Sequence, residues 1–274
     1  SQVQLVWLIG IITRICNPLF APILSMKDIK WCINYLKEKN GINSFLDLDD
    51  EAAFRALQNI TMPYDLSDEF YSKQDKVLKE ILSKKEIVEA ANFSDGISIY
   101  KGDITLINAD AIVNACNNKL LGCFVPGHHC IDNAIHSFAG LQVRRDLMRV
   151  MEKQGHDEEN GRCKVTSAYN LPSRYIFHTV GPVYSGIKQD DIDLENCYLS
   201  CLRKADEMKL ESIVFCSLST GIFGFPIEKA SKIAVKTVKK YFERESGSIK
   251  KVIFDVFSEN DYEIYKRTIE EIDR

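Results

Sequence analysis

A three-layer α/β/α fold is what the order of residues predicts, with a mixed, largely parallel sheet of six or seven strands and a small helical extension before it. Three observations predict it. From about residue 94 onward, short apolar runs alternate with stretches of helical periodicity, the pattern of strand–helix–strand units. Before residue 92 the periodicity is helical throughout. The 274 residues are 45% apolar and 27% charged, ordinary globular values with enough chain for one large domain and an appendage.

The extension is expected over residues 1–92 and the layered domain over 93–274. In Lys27–Lys39, Ile29, Ile33 and Leu36 share a helical face with Trp31 and Tyr35, and Asn40-Gly41 supplies the stop. Asp49–Asn59 opens on three acids, which suit a helix N-terminus, and Pro63 ends the segment. Ser67–Lys85 carries Phe70, Leu78, Ile81 and Leu82 between charges, a third helix. The apolar start, Val3–Ile12, is expected to pack against the larger domain, with target docking as the alternative. It is interrupted by Gln4 and Gly10 and falls short of the roughly 20 apolar residues of a membrane span. No basic stretch precedes it, which argues against a secretory leader.

In the larger domain, strands are expected at Ile97–Lys101, Ala111–Val113, Val165–Tyr169, Tyr175–Val180, Ile213–Cys216 and Val252–Val256. Helices are expected at Ile131–Ala139, Val143–Glu152, Asp191–Met208, Ile227–Phe242 and Asn260–Ile272. Thirty-five basic against 39 acidic residues leave a net charge of −4, which makes nucleic acid an unlikely partner. Nine cysteines, an odd number scattered through apolar stretches, point to a reducing compartment and a cytoplasmic location.

In sheets of this kind ligands sit at the carboxyl ends of the strands, so three strand-exit loops carry the chemistry. In Gly102-Asp103-Ile104-Thr105, Asp103 either caps a turn or accepts from an exocyclic amine such as that of adenine. The second loop holds Asn114, Asn117 and Asn118, whose amides suit sugar hydroxyls or ordinary turn bonding. It continues through Gly122-Cys123 to Pro126-Gly127-His128-His129-Cys130. Two soft thiolates and an imidazole in Cys123, His128 and Cys130 suit Zn2+ with a fourth position open; the plain alternative is a reduced cysteine pair beside surface histidines. Asp132 follows as a proton acceptor or a helix cap, and His136 one turn on as a packed histidine. The third loop, Ser217–Pro226, runs from a buried strand into a helix; its glycines let backbone N–H groups approach a phosphate, or simply make a tight turn. It lacks the lysine of a P-loop.

Taken jointly these segments resemble the macrodomain family. Gly102–Thr105, Val113–Asn117, His178–Pro182 and Ser219–Gly224 match family segments in the family's order, over about residues 95–274. The Cys123–Cys130 insertion resembles the zinc-dependent subgroup, which also carries a helical N-terminal extension. The resemblance implies a Zn2+-dependent hydrolase that removes mono-ADP-ribose from modified protein side chains, acidic side chains rather than serine. It implies that Asp103 holds the adenine amine with Ile104 beside the ring, and that Asn114 and Asn117 face the distal ribose. Gly122 replaces the family's glycine-rich stretch. Ser219, Thr220, Gly221, Ile222 and Gly224 cradle the diphosphate, with Phe223 or Phe225 near the distal sugar. Cys123, His128 and Cys130 are the implied metal ligands; for catalysis Asn117 is expected to orient the ribose, and Asp132, the nearest carboxylate in sequence, to take a proton or simply cap the helix that follows. Cys116 stands where many members have alanine, a small apolar change. The rival roles are a reader of ADP-ribose without hydrolysis, a structural metal completed by His129, and a phosphatase acting on ADP-ribose 1″-phosphate.

Overall fold

The computed structural model describes residues 21–43, 48–244 and 247–272, with side chains from residue 27 onward. The apolar start Val3–Ile12 and Cys16 lie outside the described residues. Three helices come first: α1 (Ala21–Lys39), α2 (Asp50–Ile60) and α3 (Asp68–Ser83). Asp49 caps α2 by accepting from Ala52 N at 2.8 Å, and Ser67 caps α3 by accepting from Phe70 N at 3.1 Å. Their apolar faces meet in one cluster that includes Cys32, Leu36, Phe54, Leu57, Phe70 and Val77, closed by Leu141 of a later helix.

The main sheet follows: β2 (Gly96–Lys101), β4 (Ala111–Cys116), β5 (Cys163–Ser167), β6 (Tyr175–Val180), β7 (Ser212–Cys216) and β8 (Lys251–Val256). Its order is β2-β8-β7-β4-β6-β5, and only the β5–β6 pair is antiparallel. Six strands, mostly parallel, are what the alternating pattern predicted. A separate two-residue parallel pair, β1 (Val88–Glu89) with β3 (Ile107–Asn108), was not foreseen. Between the strands run α4 (Ile131–Ala139), α5 (Leu141–Gln154), α6 (Lys188–Glu207), α7 (Ile227–Arg244) and α8 (Glu259–Ile272).

The alternation of side chains across each strand separates the two faces. On one face Phe215 and Phe254 receive Tyr198 of α6 and Tyr265 of α8, with α7 lying against both helices. On the other, α4 covers the row that contains Asn114 and His178. Among the described residues no helix is long and apolar enough to cross a membrane.

One boundary differs in a way that matters. The expected strand Ala111–Val113 continues through Asn114, Ala115 and Cys116, because β6 pairs with it as far as Cys116↔Val180. Asn114 is therefore a strand residue with no exposed surface rather than part of a loop.

Candidate active site

The three expected loops emerge at the same edge of the sheet, but they are held in different ways. Gly102 N donates to Val256 O at 3.1 Å, tying the first loop to the end of β8. Asp103 Oδ1 accepts from Thr105 N at 2.9 Å and Thr105 Oγ1 at 2.6 Å, capping the short 3₁₀ turn that follows. Asp103 is exposed, whereas the Ile104 side chain is buried in the core. Phe257, the residue after β8, presents a ring that is 91% exposed beside this loop. An exposed aromatic at a strand's carboxyl end is a ready stacking surface; the signal was a lone Phe directly after an apolar strand, and the sequence reading passed over it.

The third loop is shaped by its own backbone. Ser219 takes φ +64° and is buried with an unpartnered hydroxyl; a Cβ at Gly181 would collide with that hydroxyl. Gly224 N donates to Gly221 O at 2.9 Å, and Phe225 N to Ser219 O at 2.9 Å, which curls Thr220-Gly221-Ile222-Phe223 outward. Ile222 is 78% exposed, while Phe225 is buried against Tyr184 with ring centroids 4.7 Å apart. Of the two candidate phenylalanines, Phe223 is thus the one with surface to offer. The loop ends at Pro226, and α7 begins there.

The second loop is held from outside itself. Asn117 Oδ1 accepts from Lys119 N at 3.0 Å and Asn117 Nδ2 donates to Gly122 O at 3.3 Å, leaving the side chain half-buried. Gly122 takes φ +84°, and a Cβ there would lie 2.9 Å from the His136 ring and 3.2 Å from Arg144 Nη2, so only glycine fits. Cys123, His128 and Cys130 then converge, with their ligand atoms all within 4.8 Å of one another. Cys123 Sγ lies 3.6 Å from His128 Nδ1. His129 is exposed and outside this group, which removes it as a fourth ligand in this geometry. Burial pushes the Cys130 thiol up to about 11, with the neighbouring Cys123 and Asp132 charges adding to it and the Asn133 amide opposing it. Two thiols and an imidazole so placed are the donor set of a soft divalent ion.

Beneath this loop lies a buried polar network. Asn114 Nδ2 donates to Asp132 Oδ1 at 2.8 Å and approaches His178 Nδ1 at 3.3 Å. His178 Nε2 meets Thr166 Oγ1 at 2.9 Å. The amide donor at Nδ1 and the hydroxyl at Nε2 together assign the proton of the neutral ring to Nε2. Burial pushes His178 down to about 3 and also keeps His136 neutral; the His136 Nε2 lies 3.4 Å from Asp132 Oδ1. Burial pushes the Asp132 carboxyl up to about 6, while the Asn114 bond and the Arg144 charge hold it down. Asp132 does not cap α4. The cap is Cys130, whose Sγ accepts from Asn133 N at 3.4 Å, because Cys130 stands one residue before the first helical turn. Asn114, expected at the distal ribose, is engaged below the surface with Asp132 instead.

The Macro domain family matches residues 113–234. A protein named protein-ADP-ribose hydrolase in Staphylococcus aureus (strain MRSA252) is 39% identical over 252 residues, covering 87% of this chain and 93% of its own. A protein of the same name in Treponema medium is 41% identical over 249 residues, covering 86% and 95%. The crystal structure of the Trypanosoma brucei macrodomain in complex with ADP-ribose is similar with a TM-score of 0.61 and 29% identity, over 77% of this chain and 93% of that one. The chain belongs to the macrodomain family.

Proposed function

We propose that this protein hydrolyses mono-ADP-ribose from modified protein side chains, with ADP-ribose bound across the three loops and Zn2+ held by Cys123, His128 and Cys130. The observation that carries the metal reading is the convergence of those three side chains within 4.8 Å at the exit of β4. The donor chemistry fits zinc, and three protein ligands leave one position for substrate. The names of the relatives support the activity: both are protein-ADP-ribose hydrolases and align along nearly their whole length. Free cysteines throughout the described residues fit a reducing, cytoplasmic setting.

In this reading Asp103 accepts from the adenine amine and Phe257 stacks on the base. The outward backbone of Ser219–Phe223 and Gly224 receives the diphosphate. Asn117, fixed through Gly122 O and Lys119 N, orients the distal ribose. The bond that breaks joins the anomeric carbon to a side-chain oxygen of the target; water oxygen takes the carbon, and a proton ends on the departing oxygen. Asp132 lies beneath the loop with its carboxyl held by Asn114, so it exchanges a proton with the reacting oxygens through an intervening water. When bound, the ion supplies Lewis acidity beside the distal ribose.

The test is release of label from a defined mono-ADP-ribosylated protein, with bound metal measured in parallel. Cys123→Ala should lose the metal and slow release by about a thousandfold, the equivalent of several kcal/mol of charge stabilisation, while calorimetry still detects ADP-ribose binding. A Cys123→Ala protein with the parent's metal content and turnover would overturn the metal reading.

A further inference from the structure

The residues that hold the Cys123–Cys130 loop in place come from the helical layer before the sheet. Asn59 of α2 accepts from Gly127 N at 2.9 Å through Oδ1 and donates to Ser137 Oγ at 2.9 Å through Nδ2. Arg55, one turn earlier on the same face, donates from Nη2 to His128 O at 3.1 Å. The same guanidinium holds Asn133 Oδ1 from Nε at 3.1 Å and from Nη2 at 2.9 Å. Asn133 in turn donates from Nδ2 to Val125 O at 3.0 Å and from its backbone N to Cys130 Sγ. So the peptide groups at 125, 127 and 128 are fixed by Arg55 and Asn59, directly or through the Asn133 side chain that Arg55 orients, and the sulfur at 130 accepts from the backbone N–H of that same asparagine. Asn59 is buried and Arg55 half-buried over the Phe138 ring, which is the setting of a fixed part rather than a solvated face. The positive charge of Arg55 also lies within electrostatic reach of Cys130 and Asp103.

We infer that Arg55 and Asn59 are positioning residues for the Cys123–His128–Cys130 cluster, and that α2 is the mould in which the metal-bearing loop is cast. This rests on the metal reading above. Partners that orient metal ligands typically change affinity by about 10- to 100-fold when removed. Within the loop the backbone makes one bond of its own, His128 N to Val125 O at 3.2 Å, around Pro126 and Gly127 at the tip; the bonds to Asn59, Arg55 and Asn133 supply the rest.

The experiment uses the full chain. Zn2+ affinity is measured by competition with a chromogenic chelator, and the visible spectrum of the Co2+-substituted protein reports ligand geometry. Melting temperature and ADP-ribose affinity are recorded alongside. Arg55→Ala and Asn59→Ala should each weaken Zn2+ binding by about tenfold or more and alter the Co2+ bands. Arg55→Lys keeps charge and stem but replaces a two-pronged donor with a single point, so it should fall between parent and Arg55→Ala; it also stands in if the alanine variant does not fold. Variants that melt lower yet keep the parent's Zn2+ affinity and Co2+ spectrum would show a purely structural role and overturn the inference. A parent chain that takes up no Zn2+ would overturn the metal reading and this inference together, an outcome distinct from the first.

Discussion

Two loops at the same sheet edge solve the same problem by opposite means. The Ser217–Pro226 loop after β7 is shaped mostly from within: a positive φ at Ser219 and Gly224, two short backbone bonds back to Ser219 O and Gly221 O, and a proline where the helix begins, with one backbone bond from outside, Tyr184 N to Phe223 O at 2.8 Å. The Gly122–Cys130 loop after β4 is shaped largely from without, by side chains on α2 and α5 that lie tens of residues away in sequence and by Asn133 at the start of α4, which Arg55 of α2 holds. A diphosphate needs only amides that face outward, and a short chain can arrange these alone. A set of two sulfurs and one ring nitrogen needs three side chains at fixed mutual distances, and neighbouring layers must supply that rigidity.

The largest expected effect lies at the root of the externally held loop. Arg144 of α5 is buried, donating from Nε to Leu121 O at 2.7 Å and from Nη1 to Gln58 O at 2.8 Å and Thr61 O at 2.6 Å. Its ring partner is Phe124, 4.4 Å from the guanidinium carbon. One side chain thus pins the start of the loop to the end of α2. Burial pulls its pKa down to about 10, still far above neutrality, so the charge is present. Arg144→Met takes the side-chain donor from three carbonyls, of which Gln58 O keeps the Thr61 amide, and chemical denaturation should register a loss of about 2–4 kcal/mol. A loss below about 1 kcal/mol would mean that the loop does not depend on this anchor.

A smaller effect is expected where the loop is self-supporting. Gly224 sits at φ +68° with open space around it, so Gly224→Ala meets no steric barrier and pays only for a left-handed alanine, about 1 kcal/mol. Denaturation should show that loss with Zn2+ affinity unaltered. If Gly224→Ala changes metal binding, the two loops are coupled and the contrast between them is wrong.

The same contrast governs what could be read from the sequence. The six strands, the helices between them and the Ser219–Gly224 segment were legible because each is specified by near neighbours: apolar alternation, helical spacing, glycines before a proline. The Cys123, His128, Cys130 set was legible as a donor list, since separations of two to seven residues are within reach of one loop. What holds it was not. Arg55 and Asn59 look like two polar positions on an amphipathic helix, and nothing within ten residues of them mentions a cysteine. Asn114 looked like a strand-exit residue because Asn is a poor strand former; the β6 pairing overrides that preference and buries it. Asp132 looked like a cap because an acid in a first turn usually is one. Its actual partner, Asn114, is on a strand 18 residues earlier.

An effect of pH separates both loops from a buried carboxyl. Asp255, near the end of β8, is 6% exposed and its Oδ1 has no partner. Burial, with the Asp103 charge adding to it, pushes the carboxyl up to about 8. In the unfolded chain the same group titrates near 3.9. Between those values the folded protein binds the proton that the unfolded chain has released. The contribution of Asp255 to stability is therefore complete below about pH 4 and is lost progressively as pH rises toward 8. Asp255→Asn removes the titration, so its melting temperature should fall less than the parent's across that window, and the variant should overtake the parent above neutrality. Melting curves for the two proteins that run parallel from about pH 5 to about pH 9 would mean that Asp255 is ionised in the folded state, and that its unpartnered oxygen is hydrated. Gly224→Ala touches neither this carboxyl nor Asp132 and should keep the parent's slope, whereas Arg144→Met also removes the charge that holds Asp132 down and should steepen it, which separates the pH dependence of the sheet end from that of the externally held loop.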